Sequence, residues 1–390
     1  MPSLLKLTFF AALILIVVSC GCRKAPRAPT PATQPISSAS PETAGTQPDG
    51  GLTPAPATKY FKGSIGSSLD LQMKLVRTGD QLTGTYYYQK IGKRIDLRGS
   101  VDTHGNVVLE EFGADGKQTG VFKGLWNQKP EDGMVSIAGN WSKPPGSKDE
   151  DKKTAFSIHE EPISFTGGVD VATKQVKENN KKLVYDIDAQ YPQLSGGDNP
   201  NFEKFNQTVR ASVMKEVGEF KKEMTPKPDE ERPENSMGSS LGISYDIGLA
   251  QDDLISVSFD VYSYYQGAAH PNSFSQAISY DLKNGKALKL GDLFKPGSKY
   301  LQTLSGYCIA DLKKQSKENG GSLDDSSIND GAGPAPKNYR SWTITKKGLG
   351  INFDAYQVGP YAAGPQFVMV PYSNLKEVID PDGPLGQFVK

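Results

Sequence analysis

From Tyr60 to Glu161 apolar and polar residues alternate with a period of two. Leu69, Leu71, Met73 and Leu75 form one series, and Leu82, Gly84, Tyr86 and Tyr88 form the next. Ile95, Leu97, Gly99 and Val101 follow, then Gly120, Phe122, Gly124 and Trp126, then Val135, Ile137, Gly139 and Trp141. Between them stand turn formers such as Thr78-Gly79-Asp80, His104-Gly105-Asn106 and Asp132-Gly133. This pattern predicts about eight short antiparallel strands and no helix. Gly84, Gly99, Gly124 and Gly139 fall within the apolar series, where a missing side chain lets the opposite wall approach. Small residues alternating with large ones suit a small closed or nearly closed barrel whose interior is filled by side chains.

The period changes at Ser164-Phe165-Thr166-Gly167-Gly168. Ala172–Val176 and Leu183–Tyr191 read as a strand pair. Asn199 and Pro200 then open a helix whose stripe is Phe202, Phe205, Val209, Val213, Val217 and Phe220, with Lys221 and Lys222 complementing the dipole at its end. Strands resume at Ser240–Gly248 and Leu254–Ser263. Residues Val261–Leu293 then read as strand, Gly-Ala-Ala-His-Pro-Asn corner, strand, Asn284-Gly285 hairpin of type I′ and a third short strand. A second helix is expected from Lys299 to Lys317, with Leu301, Leu304, Cys308 and Leu312 on its apolar face, followed by an exposed loop over Glu318–Lys337. The end reads as strands Arg340–Thr345, Leu349–Phe353 and Phe367–Val370, then a short helix from Ser373. Two amphipathic helices beside strands mostly in hairpins imply an α+β domain, its helices packed on an antiparallel sheet.

The amino terminus belongs to neither unit. Lys6 precedes an apolar run, Leu7 to Val18, too short to span a bilayer comfortably and suited to the core of a secretory signal. Val17-Val18-Ser19-Cys20 resembles a bacterial lipobox, which implies that Cys20 receives a lipid and anchors the chain to a membrane on its extracytoplasmic side. Residues 21–59 are Pro, Ala, Thr, Ser and Gly with almost no large apolar side chain, and read as a disordered tether. The expected organisation is therefore signal 1–20, tether 21–59, β domain 60–162 and α+β domain 163–390. Lys plus Arg (44) balances Asp plus Glu (44), which leaves no basic field for nucleic acid. Of the three cysteines, Cys308 reads as a buried thiol packing as a small hydrophobe, with a Cys22–Cys308 disulfide as the alternative.

Two resemblances add to this. In layout the β unit resembles the eight-stranded calycin barrels, although its Gly-x-Trp pairs (Gly124 with Trp126, Gly139 with Trp141) fall late rather than in the first strand. The segments Gly267-Ala268-Ala269-His270-Pro271-Asn272, Tyr280-Asp281-Leu282, Leu290-Gly291-Asp292-Leu293-Phe294, Pro360-Tyr361-Ala362-Ala363-Gly364-Pro365 and Val370-Pro371-Tyr372 are similar to the C-terminal family shared by RsiV-type anti-sigma factors and PdaC-type peptidoglycan deacetylases. The likeness covers roughly Ile163 to Lys390. It implies an extracellular domain which in the anti-sigma factor binds lysozyme and in the deacetylase accompanies a separate catalytic domain. That catalytic domain is not expected in this sequence.

Candidate chemistry centres on His270, one of three histidines; His104 and His159 fall in a turn and near a strand end and read as solvated. A hydrolase or deacetylase would use His270 as a general base with Asp260, Asp281 or Asp292 orienting it. No nucleophile elbow, His-x-x-x-His or phosphate loop accompanies it, and no cysteine pair has metal-site spacing, so no cofactor or metal is expected. A binding module would use Tyr264, Tyr265, His270, Asn272, Trp342, Tyr356 and Tyr361, since aromatic anchors dominate contact energetics. The sequence thus favours a membrane-anchored envelope lipoprotein that binds a lysozyme-like protein or a peptidoglycan fragment. An enzyme using His270 and a scaffold without a discrete ligand are the alternatives.

Overall fold

The computed structural model describes residues 55–89, 93–225 and 238–390. Cys20, Cys22, the signal and most of the tether lie outside the described residues, as does most of the Pro-rich stretch after Thr225.

Eight strands form the first layer of structure: β1 (Ala57–Ile65), β2 (Leu69–Thr78), β3 (Gln81–Tyr88), β4 (Arg94–Val101), β5 (Asn106–Phe112), β6 (Gln118–Gln128), β7 (Val135–Ser142) and β8 (Thr154–Glu160). Each pairs antiparallel with the next and β8 returns to β1, closing a barrel without free edges. Side chains fill its interior. Phe122 lies edge-on to Tyr86 at 5.5 Å and to Phe156 at 5.0 Å, with Phe61, Leu71, Leu82 and Ile137 packed around them. Gly99 and Gly139 do what their spacing implies: a Cβ at either would strike the carbonyl of the neighbouring strand, Val108 or Lys123. One carboxylate shares this interior. Glu111 follows Val107 and Leu109 on the inner face of β5, and its Oε2 accepts the Tyr86 hydroxyl at 2.5 Å and the Trp141 indole N–H at 3.1 Å.

The second part holds a seven-stranded sheet made of β9 (Ile163–Ser164), β10 (Asp170–Asn180), β11 (Tyr185–Ser195), β12 (Ser239–Gln251), β13 (Leu254–Tyr264), β14 (Asn272–Asp281) and β15 (Lys286–Ala287). The order is β10-β11-β12-β13-β14-β15, with β9 on the far end of β12. The α+β class holds, and two parallel pairings add to it, the short β9 with β12 and the longer β11 with β12. Helix α1 (Asn201–Glu223) connects β11 to β12, so these two strands run parallel and the sheet is mixed. Asn199 Oδ1 accepts the Asn201 N–H at 2.9 Å and starts the helix. All six residues of the α1 stripe are buried against Ile187, Ile243, Val257 and Phe259 in one core, each contributing about 1.5–3 kcal/mol of apolar burial. Asn206, inside that contact, is satisfied by both backbone groups of Leu194 at 2.8 Å.

The Asn284-Gly285 connection is wider than the expected type I′ turn. Only Gly285 has positive φ (67°), and the Asp281 carboxylate accepts the Asn284 N–H at 2.8 Å, so a side-chain cap shapes a longer loop.

A second core lies on the sheet face turned away from α1. It joins a three-stranded sheet, β16 (Ser341–Ile344), β17 (Gly348–Phe353) and β18 (Gln366–Pro371), to helices α2 (Tyr300–Glu318), α3 (Asp325–Gly331) and α4 (Tyr372–Leu375). The Ile344 N–H donates to Ser256 Oγ at 2.8 Å, and Ser256 Oγ meets Ser279 Oγ at 2.7 Å, which sews β16 onto β13 and β14. Leu304, Cys308 and Leu312 of α2 are fully buried here; Cys308 is a free thiol that burial pushes up to about 12. The expected exposed loop over Glu318–Lys337 instead contains α3. Asp324 caps it by accepting the Ser327 N–H at 2.9 Å, and Ile328 plugs the core, a helix too short to show a period in sequence.

The barrel docks through the outer faces of β1 to β3. The Tyr60 hydroxyl donates to Val169 O at 2.5 Å, Lys74 pairs with Asp170 at 2.8 Å, and the Thr173 N–H donates to Gln72 Oε1 and to the Tyr87 hydroxyl, both at 2.9 Å.

Candidate functional site

Two loops meet at the start of β14. Gly267, at φ 87°, turns the chain after β13 and leads to His270-Pro271. Opposite, β17 ends at Phe353 and the chain runs Asp354-Ala355-Tyr356-Gln357 before Val358 buries itself in the second core. Two hydrogen bonds pin the loops together: the Ser275 N–H donates to Asp354 Oδ1 at 2.8 Å, and the Tyr361 hydroxyl donates to Pro271 O at 3.0 Å. Gln357 fixes the second loop from behind, its amide donating to Gly331 O at 3.0 Å and Asn338 O at 2.9 Å.

The result is an aromatic corner. The His270 ring stacks on Tyr361 at 4.3 Å, and Tyr356 tilts against Tyr361 at 5.4 Å. Tyr356 is 66% exposed and sits at φ 70°, where a bulky side chain costs backbone strain. No burial repays that strain within the chain.

The same two segments line a groove of about 460 Å³ between β14 and the β16–β17 pair. Gln276, Arg340, Ser341, Asn352 and Asp354 line it, with the Gln276 amide held by Glu216 and Ser212 of α1. Ser341 Oγ is buried and has no hydrogen-bond partner among the described residues. On the neighbouring strand the Asp260 carboxyl is held above the ordinary carboxylate range, first by burial and then by the Asp246 and Asp354 carboxylates. Among the described residues no three His, Cys, Asp or Glu converge as metal ligands. Rings beside amide, guanidinium, carboxylate and hydroxyl groups suit recognition of a hydrogen-bonding surface with an apolar face.

The structure brings together His270, Tyr356 and Tyr361, with Asn272 exposed beside them at the head of β14. It keeps the others apart. Tyr265 packs on Phe220 of α1 at 5.5 Å, Tyr264 is half-buried at the end of β13, and Trp342 is buried in the second core. His270 also stands apart from the carboxylates that would orient a base. Its Nδ1 lies 2.8 Å from Pro271 O, while Asp281 accepts from Asn284 at the other end of β14 and Asp292 accepts the Lys289 N–H. The groove residues Gln276, Arg340, Ser341, Asn352 and Asp354 carry no motif. They become neighbours only because β16 packs across β14.

Fold and site together define a closed barrel joined to a two-sheet α+β module whose loops present an aromatic corner. Residues 178–273 match the family described as Deacetylase PdaC, and residues 291–373 match the protein family of unknown function DUF3298. The C-terminal part is thus a DUF3298 domain of the kind shared with PdaC-type proteins. Peptidoglycan-N-acetylmuramic acid deacetylase PdaC of Bacillus subtilis (strain 168) is 26% identical over 213 residues, 55% of this chain. The match spans 42% of that relative's length. A crystal structure of a DUF3298-family member from Bacteroides fragilis NCTC 9343 aligns at 21% identity with a TM-score of 0.42, covering 58% of this chain and 98% of that one. A DUF3298-family protein from Pseudomonas aeruginosa PAO1 aligns at 18% identity with a TM-score of 0.37, covering 55% and 95%. His270 lies near the end of the first matched segment, and Tyr356 and Tyr361 lie within the second.

Proposed function

We propose that this chain is a lipid-anchored module of the cell envelope that binds a cell-wall glycan at the aromatic corner without transforming it. The observation that carries this reading is Tyr356, exposed and backbone-strained beside the His270–Tyr361 stack, at the head of a groove lined by polar planar side chains. Such rings cover the apolar faces of sugars while amide, carboxylate and guanidinium groups meet their hydroxyls. The name of the Bacillus subtilis relative, a deacetylase of peptidoglycan N-acetylmuramic acid, supports a cell-wall setting. A base without an orienting carboxylate supports binding over catalysis. Cys20 carries the lipid in this reading, and the tether holds the module away from the membrane.

The test is cosedimentation of the purified protein with insoluble peptidoglycan, with a lysozyme as the rival partner. Wild type should pellet with peptidoglycan; Tyr356→Ala should weaken binding about tenfold at unchanged melting temperature, and Tyr361→Ala should weaken it at least as much while also losing the bond to Pro271 O that pins the loops. Capture of the lysozyme instead, sensitive to the same two substitutions, would move the ligand from glycan to protein. No binding to either would defeat the reading.

A further inference from the structure

A cavity of about 250 Å³ lies between the barrel and β10, remote in sequence from the aromatic corner. Its walls come from both halves: Tyr60, Thr85 and Tyr87 from the barrel surface, and Asp170 and Thr173 from β10, with Glu161 in the short link between β8 and β9. Sites at such junctions of two packed units are common places for small ligands, and this one falls just below their usual range of about 300–1,000 Å³.

Glu161 is the unexplained group. It is only 7% exposed, yet its carboxyl makes no hydrogen bond to any described residue. Every neighbour that could serve it is engaged elsewhere. Lys62 donates to Tyr245 O at 3.2 Å and faces Asp246 at 3.8 Å; the Tyr87 hydroxyl is bonded to Gln72 and to the Thr173 N–H; the Tyr245 hydroxyl meets Thr173 Oγ1 at 2.6 Å. Glu161 lines the cleft, so a donor for its carboxyl can come from a molecule that enters there. Desolvation pushes its pKa up to about 7, with Lys62 pulling it down and Asp246 adding to the rise.

We propose that this cleft is a second binding site, which takes a small neutral hydroxyl-rich molecule about the size of one sugar ring and pairs its hydroxyls with Glu161. The surroundings select against a fixed charge. Lys74 is neutralised by Asp170 at 2.8 Å, Arg94 and Lys174 on the same wall disfavour a cation, and Glu161 disfavours an anion. The size follows from the volume, and the hydrogen-bonding demand follows from Glu161 and from Thr85, whose hydroxyl lines the cleft without a bonded partner among the described residues. Tyr60 and Tyr87 close the sides as rigid walls.

The full chain is tested by ligand-observed NMR and calorimetry with glucose and N-acetylglucosamine as neutral probes and methylammonium as a cationic one. Wild type should bind a sugar probe saturably and ignore methylammonium. Glu161→Gln should weaken sugar binding about tenfold, by removing the carboxyl while keeping its shape, and Thr85→Trp should abolish it by filling the cleft at unchanged melting temperature. Tyr361→Ala should leave it intact, which separates this site from the corner: failure of the peptidoglycan reading does not touch it. The proposal is overturned by the absence of saturable sugar binding, by sugar binding indifferent to Glu161→Gln and Thr85→Trp or lost in Tyr361→Ala, or by preference for methylammonium.

Discussion

The barrel and the C-terminal module place their chemistry on opposite sides of their walls. In the barrel the polar cluster of Glu111, Tyr86 and Trp141 points inward and is bonded within the chain, while the outer faces of β1–β3 serve as a docking surface. In the module two cores back onto one sheet, and the loops that seal them, 267–275 and 354–364, are left to face solvent. A closed barrel has no strand edge to offer, and the inside of this one is filled by Tyr86, Phe122, Phe156 and their neighbours. Two sheets of unequal size cannot cover each other, and the uncovered rim becomes a groove. Function is therefore expected at the module's rim and at the seam between the parts, not in the barrel lumen.

The strongest way to break this contrast is to empty the barrel. Phe122→Ala removes a ring packed between Tyr86 and Phe156 and should cost about 3–5 kcal/mol in denaturant unfolding while binding by the remaining folded protein is unchanged. A loss of affinity at constant fold would place function in the lumen after all.

The seam gives the next largest effect. Folded Glu161 keeps its proton up to about pH 7, whereas the unfolded chain releases it near 4.5. Its contribution is fully present below pH 4.5 and is lost as pH rises through 7, and at about 1.4 kcal/mol per pH unit the loss is roughly 3 kcal/mol. His159, held down by partial desolvation and by Lys62, slopes the other way, losing stability as pH falls through its ordinary range near 6.5. Unfolding measured from pH 4.5 to 8 should therefore show falling stability in wild type and only the gentler His159 slope in Glu161→Gln. Identical profiles would remove Glu161 from the seam's energetics.

The smallest effect sharpens the corner. The Pro271 carbonyl that meets the His270 ring also accepts the Tyr361 hydroxyl, and His270 is exposed, so His270→Ala leaves no buried orphan. Its cost in stability should stay below about 1 kcal/mol, short of the ~1–3 kcal/mol that loss of a buried partner carries. A larger drop in melting temperature would make the ring a structural pin.

What the residues alone determined follows from local periodicity and local chemistry. The period-two series with inner glycines specified the barrel, because alternation and close approach are set strand by strand. The α1 stripe and its Asn199 start were equally legible, and so was Cys308 as a buried thiol on the α2 face. The aromatic corner was half legible: His270, Tyr356 and Tyr361 stood out by type, but nothing local told them from Tyr265 and Trp342, which tertiary packing consumed. Only the tertiary structure decided the parallel β11–β12 pair, the split into two cores, the groove from Gln276 to Asp354 and the unsatisfied position of Glu161. Each depends on which surfaces meet across long stretches of chain, and a lone carboxylate after a strand reads as solvated until the barrel and sheet close over it.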